Sequence, residues 1–336
     1  MKKLNVLFSA LSLSMTAITA CQSPSESSAP APSAVITRKM ELKGIPSASG
    51  IERVGNRFYV IGDDSPYLFC LNAQYEIIQK TALLASSALQ NGRIPKPVKP
   101  DLEAITSLTL EGQPYLLVLG SGSTDKRNHA YLVPISSQGA GAPQAISLAS
   151  LYKSLSTDTA VVGGASLNIE GVAADEEYLY LLHRFSPQGH NAVLIYIMAS
   201  VSPFLQGRAA APKPYKVQTW ALPDLENIKT GFSGVASALG GKLLFTASAE
   251  ETPNAVLDGE VYGSMVGWLN VYHTSASQPS RPSLVSPITE ANGTSYKGKI
   301  ESISVLKNTS DRSLTAVAVA DSDDGLSDLI ELEFNW

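Results

Sequence analysis

SASGIERVGNRFYVIGDDSPYLFCL, from Ser47 to Leu71, decides how the rest of the chain is read. It opens on a small polar residue, a glycine and a branched apolar residue (Ser49-Gly50-Ile51) and turns at Gly55-Asn56. It then runs through the apolar RFYVIG, breaks at Asp63-Asp64 and resumes as YLFCL. Short runs rich in Tyr, Phe, Val, Ile and Leu, bounded by Gly, Asn and Asp, are strand signals. The same succession recurs after Glu103-Ala104-Ile105, Glu170-Gly171-Val172, Ser233-Gly234-Val235 and Glu301-Ser302-Ile303, at spacings of 54, 67, 63 and 68 residues. Each triplet leads into a second apolar run (Tyr115–Gly120, Tyr178–His183, Lys242–Thr246, Leu314–Ala320), a polar break and a third run (Ala130–Ile135, Ala192–Met198, Val266–Tyr272, Asp328–Phe334). Weaker fourth strands follow in the first four units, as at Tyr75–Leu83 and Tyr215–Leu222.

Four strands repeated at about sixty residues predict an all-β fold, a β-propeller of generous loops. Five blades is the count. Six or seven stay open if a poorly marked unit hides in 136–165 or 199–230. The fifth unit has only three strands, and Ala34–Leu42 (AVITRKMEL) has no partner of its own. The N-terminal strand is therefore expected to close the last blade beside Asp328–Phe334, removing an exposed edge. Helical periodicity is confined to Leu148–Leu155 and the N-terminal segment.

That N-terminal segment is an address. Lys2 and Lys3 precede the apolar Leu4–Ile18, too short for a permanent membrane span. Ile18-Thr19-Ala20-Cys21 resembles the lipobox of bacterial lipoproteins, which implies removal of 1–20 and lipidation (palmitate among the acyl groups) of Cys21. Residues 21–33 are rich in Ser, Pro and Ala and read as a flexible tether. Residues 34–336, about 300 in number, form the propeller domain. Gln22 resembles the outer-membrane sorting pattern, so the expected location is the cell envelope, periplasmic or surface-exposed, with the membrane contacted through Cys21. Without Lys2 and Lys3 the balance is 23 basic to 30 acidic residues, a net charge of −7. With no basic run, nucleic acid is excluded as an expected partner. The other cysteine, Cys70, sits in an apolar run and reads as a core residue.

Ser47–Leu71, together with Lys99-Pro100-Asp101-Leu102-Glu103-Ala104, Leu119–Thr124 and Leu182-His183-Arg184, resembles a bacterial β-propeller lipoprotein family of unknown function. More distantly the chain is similar to phytase-like or esterase-like propellers. That likeness implies metal-assisted phosphoester or ester hydrolysis by analogy of fold alone.

Strand alternation turns the repeat into geometry. Motif starts and second-strand ends lie on one face, around the central channel. Collected there are Asp63, Asp64, Glu103, Ser121, Ser123, Arg127, Glu170, His183, Arg184, Glu250, Glu251 and Glu301 as ligand-binding candidates. Asp321, Asp323 and Asp324 are candidate metal ligands. The motif glutamates read first as acceptors tying neighbouring blades together, and Asp321–Gly325 reads equally as a solvated turn. It is not an EF-hand, because Leu332 stands where the final Glu belongs. Gly120–Thr124 with Lys126 and Arg127 reads as a flexible loop or an anion nest. There is no Gly-x-Ser-x-Gly, His-Glu-x-x-His or cysteine pair. The expectation is an acidic funnel holding a cation, calcium by its oxygen donors, and a small polar ligand. A phytase-like hydrolase and a scaffold for a protein partner are the alternatives.

Overall fold

The computed structural model describes residues 1, 30–85, 89–185, 189–238, 242–251, 259–272, 278–321 and 325–336. Cys21, Asp323 and Asp324, and most of the signal and tether, lie outside the described residues. Residues 32–336 form one compact unit.

That unit is a β-propeller. After β1 (Ser33–Glu41), an antiparallel sheet is built from β2 (Ala48–Val54), β3 (Arg57–Gly62), β4 (Tyr67–Leu71) and β5 (Ile77–Ala82). The second comprises β6 (Leu102–Leu110), β7 (Gln113–Gly120), β8 (His129–Ser136), the two-residue β9 (Gly139–Ala140) and β10 (Gln144–Ser147). The third holds β11 (Ile169–Ala174), β12 (Tyr178–His183), β13 (Asn191–Ile197) and β14 (Lys216–Trp220). Next come β15 (Thr230–Ala238), β16 (Lys242–Glu251), β17 (Glu260–Asn270) and β18 (Leu284–Thr289). Last are β19 (Lys299–Ser310), β20 (Ser313–Asp321) and β21 (Ser327–Asn335). β1 completes the last group antiparallel to β21, Ala34 opposite Phe334 and Glu41 opposite Asp328. It also pairs in parallel with β18 at Ala34–Ile288 and Val35–Thr289, so the last two groups fuse into one eight-stranded sheet. The sequence expected the first pairing and not the second.

The innermost strands close a ring: β2 packs on β6, β6 on β11, β11 on β15, β15 on β19, and β19 back on β2. The apolar core is divided the same way. Five buried clusters each join two successive groups of strands; one sets Ile61, Leu68 and Cys70 against Leu102, Ile105 and Val118. Cys70 is a buried free thiol, as its apolar run suggested. Strands whose two faces both meet a neighbouring sheet read as continuous apolar runs, as YLLVLG and YLYLLH do.

Helix α1 (Ala149–Ser156) lies where expected, within one residue at each end. A short α2 (Thr159–Val162) follows it, capped by the Asp158 carboxylate on Ala160 N. α3 (Met198–Leu205) begins at the last residue of the expected strand Ala192–Met198 and takes up the stretch after it. Its buried residues Met198, Val201, Phe204 and Leu205 recur at helical spacing, a period hidden behind the strand it continues.

Candidate functional site

The recurring triplet has a structural cause. In every innermost strand the ladder slips by one residue at the same place: between Ala48 and Gly50, Leu102 and Ala104, Ile169 and Gly171, Phe232 and Gly234, and Ile300 and Ser302. The unpaired residue is the first of each triplet, Ser49, Glu103, Glu170, Ser233 or Glu301. A β-bulge bends the strand and re-aims one side chain. The small second residue follows from the ring. A Cβ on Gly50 would stand 2.9 Å from Ile105, one on Gly171 2.9 Å from Val235, and one on Gly234 2.8 Å from the Ser302 Cα. The serine bulges serve the scaffold: Ser49 Oγ donates to Leu102 O in the next group, and Ser233 Oγ to Thr246 Oγ1 at 3.3 Å. The glutamate bulges act on one another across the channel. Glu103 and Glu301 both sense Glu170, and Arg184 senses all three.

Instead of a bare acidic funnel, the structure holds an alternating charge network. Lys99 Nζ bonds Asp63 Oδ2 and lies 3.0 Å from Asp101 Oδ1. Arg127 Nη1 reaches Asp101 Oδ2 at 2.6 Å and Ser123 Oγ at 2.7 Å, while Ser121 Oγ donates to Asp101. Arg184 Nη2 is 3.0 Å from Glu250 Oε2, and its Nη1 donates to Gly231 O and Phe232 O. Lys299 Nζ lies 3.3 Å from Glu250 and 3.1 Å from Glu301. Arg93 Nε pairs with Asp64 Oδ2 at 2.5 Å. The Gly120–Thr124 loop therefore aims its arginine inward at Asp101, and Lys126 reaches Pro97 O.

Burial sets the electrostatics. It raises Glu103 well above the usual carboxylate range, with Asp101, Glu170 and Asp63 adding to it and Lys99 pulling back. Burial also pushes Glu301 up to about 8 against the pull of Lys299, whose single charge is shared with Glu250. Glu250 goes the other way: burial would raise it, but Lys299, Arg184 and the Gly259 N–H hold it below its usual value. Burial drives His183 down to about 4. Its Nδ1 meets the Asn168 backbone at 3.1 Å, its Nε2 is buried with no partner among the described residues, and its titratable neighbour is His190. It packs as a neutral ring rather than joining the carboxylates. Glu251 is exposed and accepts from Tyr262 OH at 3.2 Å, outside the network. Asp321 acts on Glu301 and Arg93.

Lys99, Asp101, Asn168, Lys299 and Arg93 are not among the candidate site residues of the sequence, although Lys99 and Asp101 stand in a stretch that carries the family resemblance. Asp101, Asn168 and Lys299 stand two residues before the bulge, a position as periodic as the triplet. Asn168 Nδ2 donates to Glu170 Oε1 at 2.6 Å. Oxygens of Asp63, Asp101 and Glu103, from two successive repeats, lie within 4.8 Å of one another. Beside them a cavity of about 520 Å3 is bounded by Asp63, Asp64, Arg93, Lys99 and Asp321 among others.

A model of a family of unknown function, DUF6929, matches residues 44–334. No curated protein matches the chain. Among solved structures it is similar to a glutaminyl cyclase from Myxococcus xanthus, with TM-score 0.49 and 12% identity over 90% of this chain and 97% of that one. It is also similar to an alpha-L-arabinanase from Cellvibrio cellulosa complexed with arabinohexaose, with TM-score 0.42 and 14% identity over 85% and 90%. The catalytic domain of a GH62 alpha-L-arabinofuranosidase from Coprinopsis cinerea follows at TM-score 0.40 and 12% identity over 90% and 96%. At these values they carry no inference about activity.

Proposed function

We propose a binding function for this chain, which belongs to that family of unknown function, DUF6929. In this reading five blades surround a channel whose mouth takes a hard cation and, beside it, a small polar ligand. The observation that carries it is the convergence of Asp63, Asp101 and Glu103 within 4.8 Å, beside a 520 Å3 cavity that Asp63 lines. Carboxylate oxygens suit calcium better than soft transition metals. The cavity falls in the range of about 300–1,000 Å3 usual for small-molecule sites. Metal-assisted hydrolysis needs a metal with an open position for water. With Lys99 seated on two of the three carboxylates, neither the phytase-like reading nor a protein scaffold has an observation of its own.

Calcium binding to the folded state alone should raise the unfolding temperature of the purified chain by mass action. Glu103→Gln should fold and lose most of that rise. If millimolar calcium leaves the wild type unmoved, the cation reading fails; if the variant responds like the wild type, the triad is not the site. We place the protein at the envelope by lipid on Cys21, on the sequence of residues 18–21 alone. Cys21→Ser should abolish labelling by a fatty-acid probe and release the chain from the membrane fraction, and unchanged recovery there would refute the anchor.

A further inference from the structure

Lys99 occupies the triad. Its ammonium bonds Asp63 Oδ2 and lies 3.0 Å from Asp101 Oδ1, and Glu103 is the third carboxylate acting on it. A cation shared by all three would stand where this ammonium stands. Two observations separate the arrangement from an ordinary structural ion pair. First, Lys99 also lines the 520 Å3 cavity, so the side chain has room to withdraw without disturbing a packed core. Second, the fold leaves acceptors unmet beside it: Asp63 Oδ1 and Asp64 Oδ1 are buried with no hydrogen-bond partner among the described residues. The Asp64 side chain is only 7% exposed and borders the same cavity. Buried carboxylate oxygens without donors are costly. A divalent ion with six to eight oxygen ligands draws on more of them than three ammonium protons do.

We propose that Lys99 is the exchangeable plug of a divalent-cation site: calcium gains Asp63, Asp101 and Glu103 only as the Lys99 ammonium withdraws into the cavity. The lysine thus sets the concentration above which the site fills. This rests on the binding reading above for its location, and adds the residue that regulates it.

The test is calorimetric titration of calcium chloride into the wild type, Lys99→Met and Lys99→Gln. Both variants should bind calcium about tenfold tighter or more, since a close charged competitor is gone. Lys99→Met should also unfold at a lower temperature than the wild type without calcium and recover with it. n-Propylammonium chloride should compete with calcium in Lys99→Met by taking the vacated seat. Should Lys99→Met fail to fold, Lys99→Gln decides, because its amide still donates to Asp63 and Asp101. If the wild type binds calcium and neither variant binds it tighter, the plug is wrong while the binding function stands. If only the variants bind, Lys99 holds the seat without exchange, and both the exchangeable plug and the cation reading of the wild type fall. If none binds, both fail.

Discussion

Arg184 ties two successive repeats together through one guanidinium. It follows β12, donates to two carbonyls at the start of β15, and pairs with Glu250 on β16. The ion-pair side chains are 7% and 6% exposed, so solvent screens them little. Removing one member of such a pair strands the other. Arg184→Met is expected to cost about 3–5 kcal/mol in denaturant unfolding; a loss under about 1 kcal/mol, the size of an exposed pair, would show that the network is solvated. Glu301 gives a pH signature. Its carboxyl sits at about 8 in the fold, whereas an unfolded glutamate titrates at about 4.3. Between those values the folded chain keeps a proton that the unfolded chain releases. Stability from this group is therefore complete below about pH 4.3 and declines as pH rises toward 8. Glu301→Gln should flatten the fall of unfolding free energy from pH 5 to 8, and parallel profiles for the two proteins would contradict the shift.

The element that matters most is the bulged innermost strand, and it was half legible. Its triplet was visible as a period because three demands coincide: a polar bulge residue, a small residue against the next strand, and a branched apolar residue in the core. The bulge itself was not legible, since a one-residue slip leaves no mark in hydrophobic alternation. Without it, Asp101 and Lys299 looked like flanking residues instead of channel residues. As a site residue Lys99 was hidden for another reason: it follows a single 3-10 turn, Lys96–Val98, in a connection where no period applies. β1 was legible from its lack of a partner, yet its parallel contact with β18 depends on how two sheets meet in space. That contact makes β1 bind two groups at once. Deleting the chain through Glu41 should expose the edges of β18 and β21 and cause gross destabilisation or aggregation. Deleting only 22–31 should leave thermal unfolding unchanged, and equal behaviour of the two truncations would show that β1 closes nothing.

At the scale of the molecule, repetition builds a symmetric ring and the sequence then breaks the symmetry at its mouth. Two repeats spend their bulge on serine and the scaffold, three on glutamate and the channel. Lys99, Arg127, Arg184 and Lys299 are threaded between the acids, so neutralisation comes largely from within, by lysine, arginine and retained protons. Such a mouth is poised to exchange an internal cation for an external one. The most direct measurement is a crystal of the protein grown with strontium in place of calcium, examined for anomalous scattering. The expected result is one peak shared by Asp63, Asp101 and Glu103, with the Lys99 ammonium moved into the cavity. A channel without a peak and Lys99 still bonded to Asp63 and Asp101, or a peak away from these three carboxylates, would contradict the proposed site.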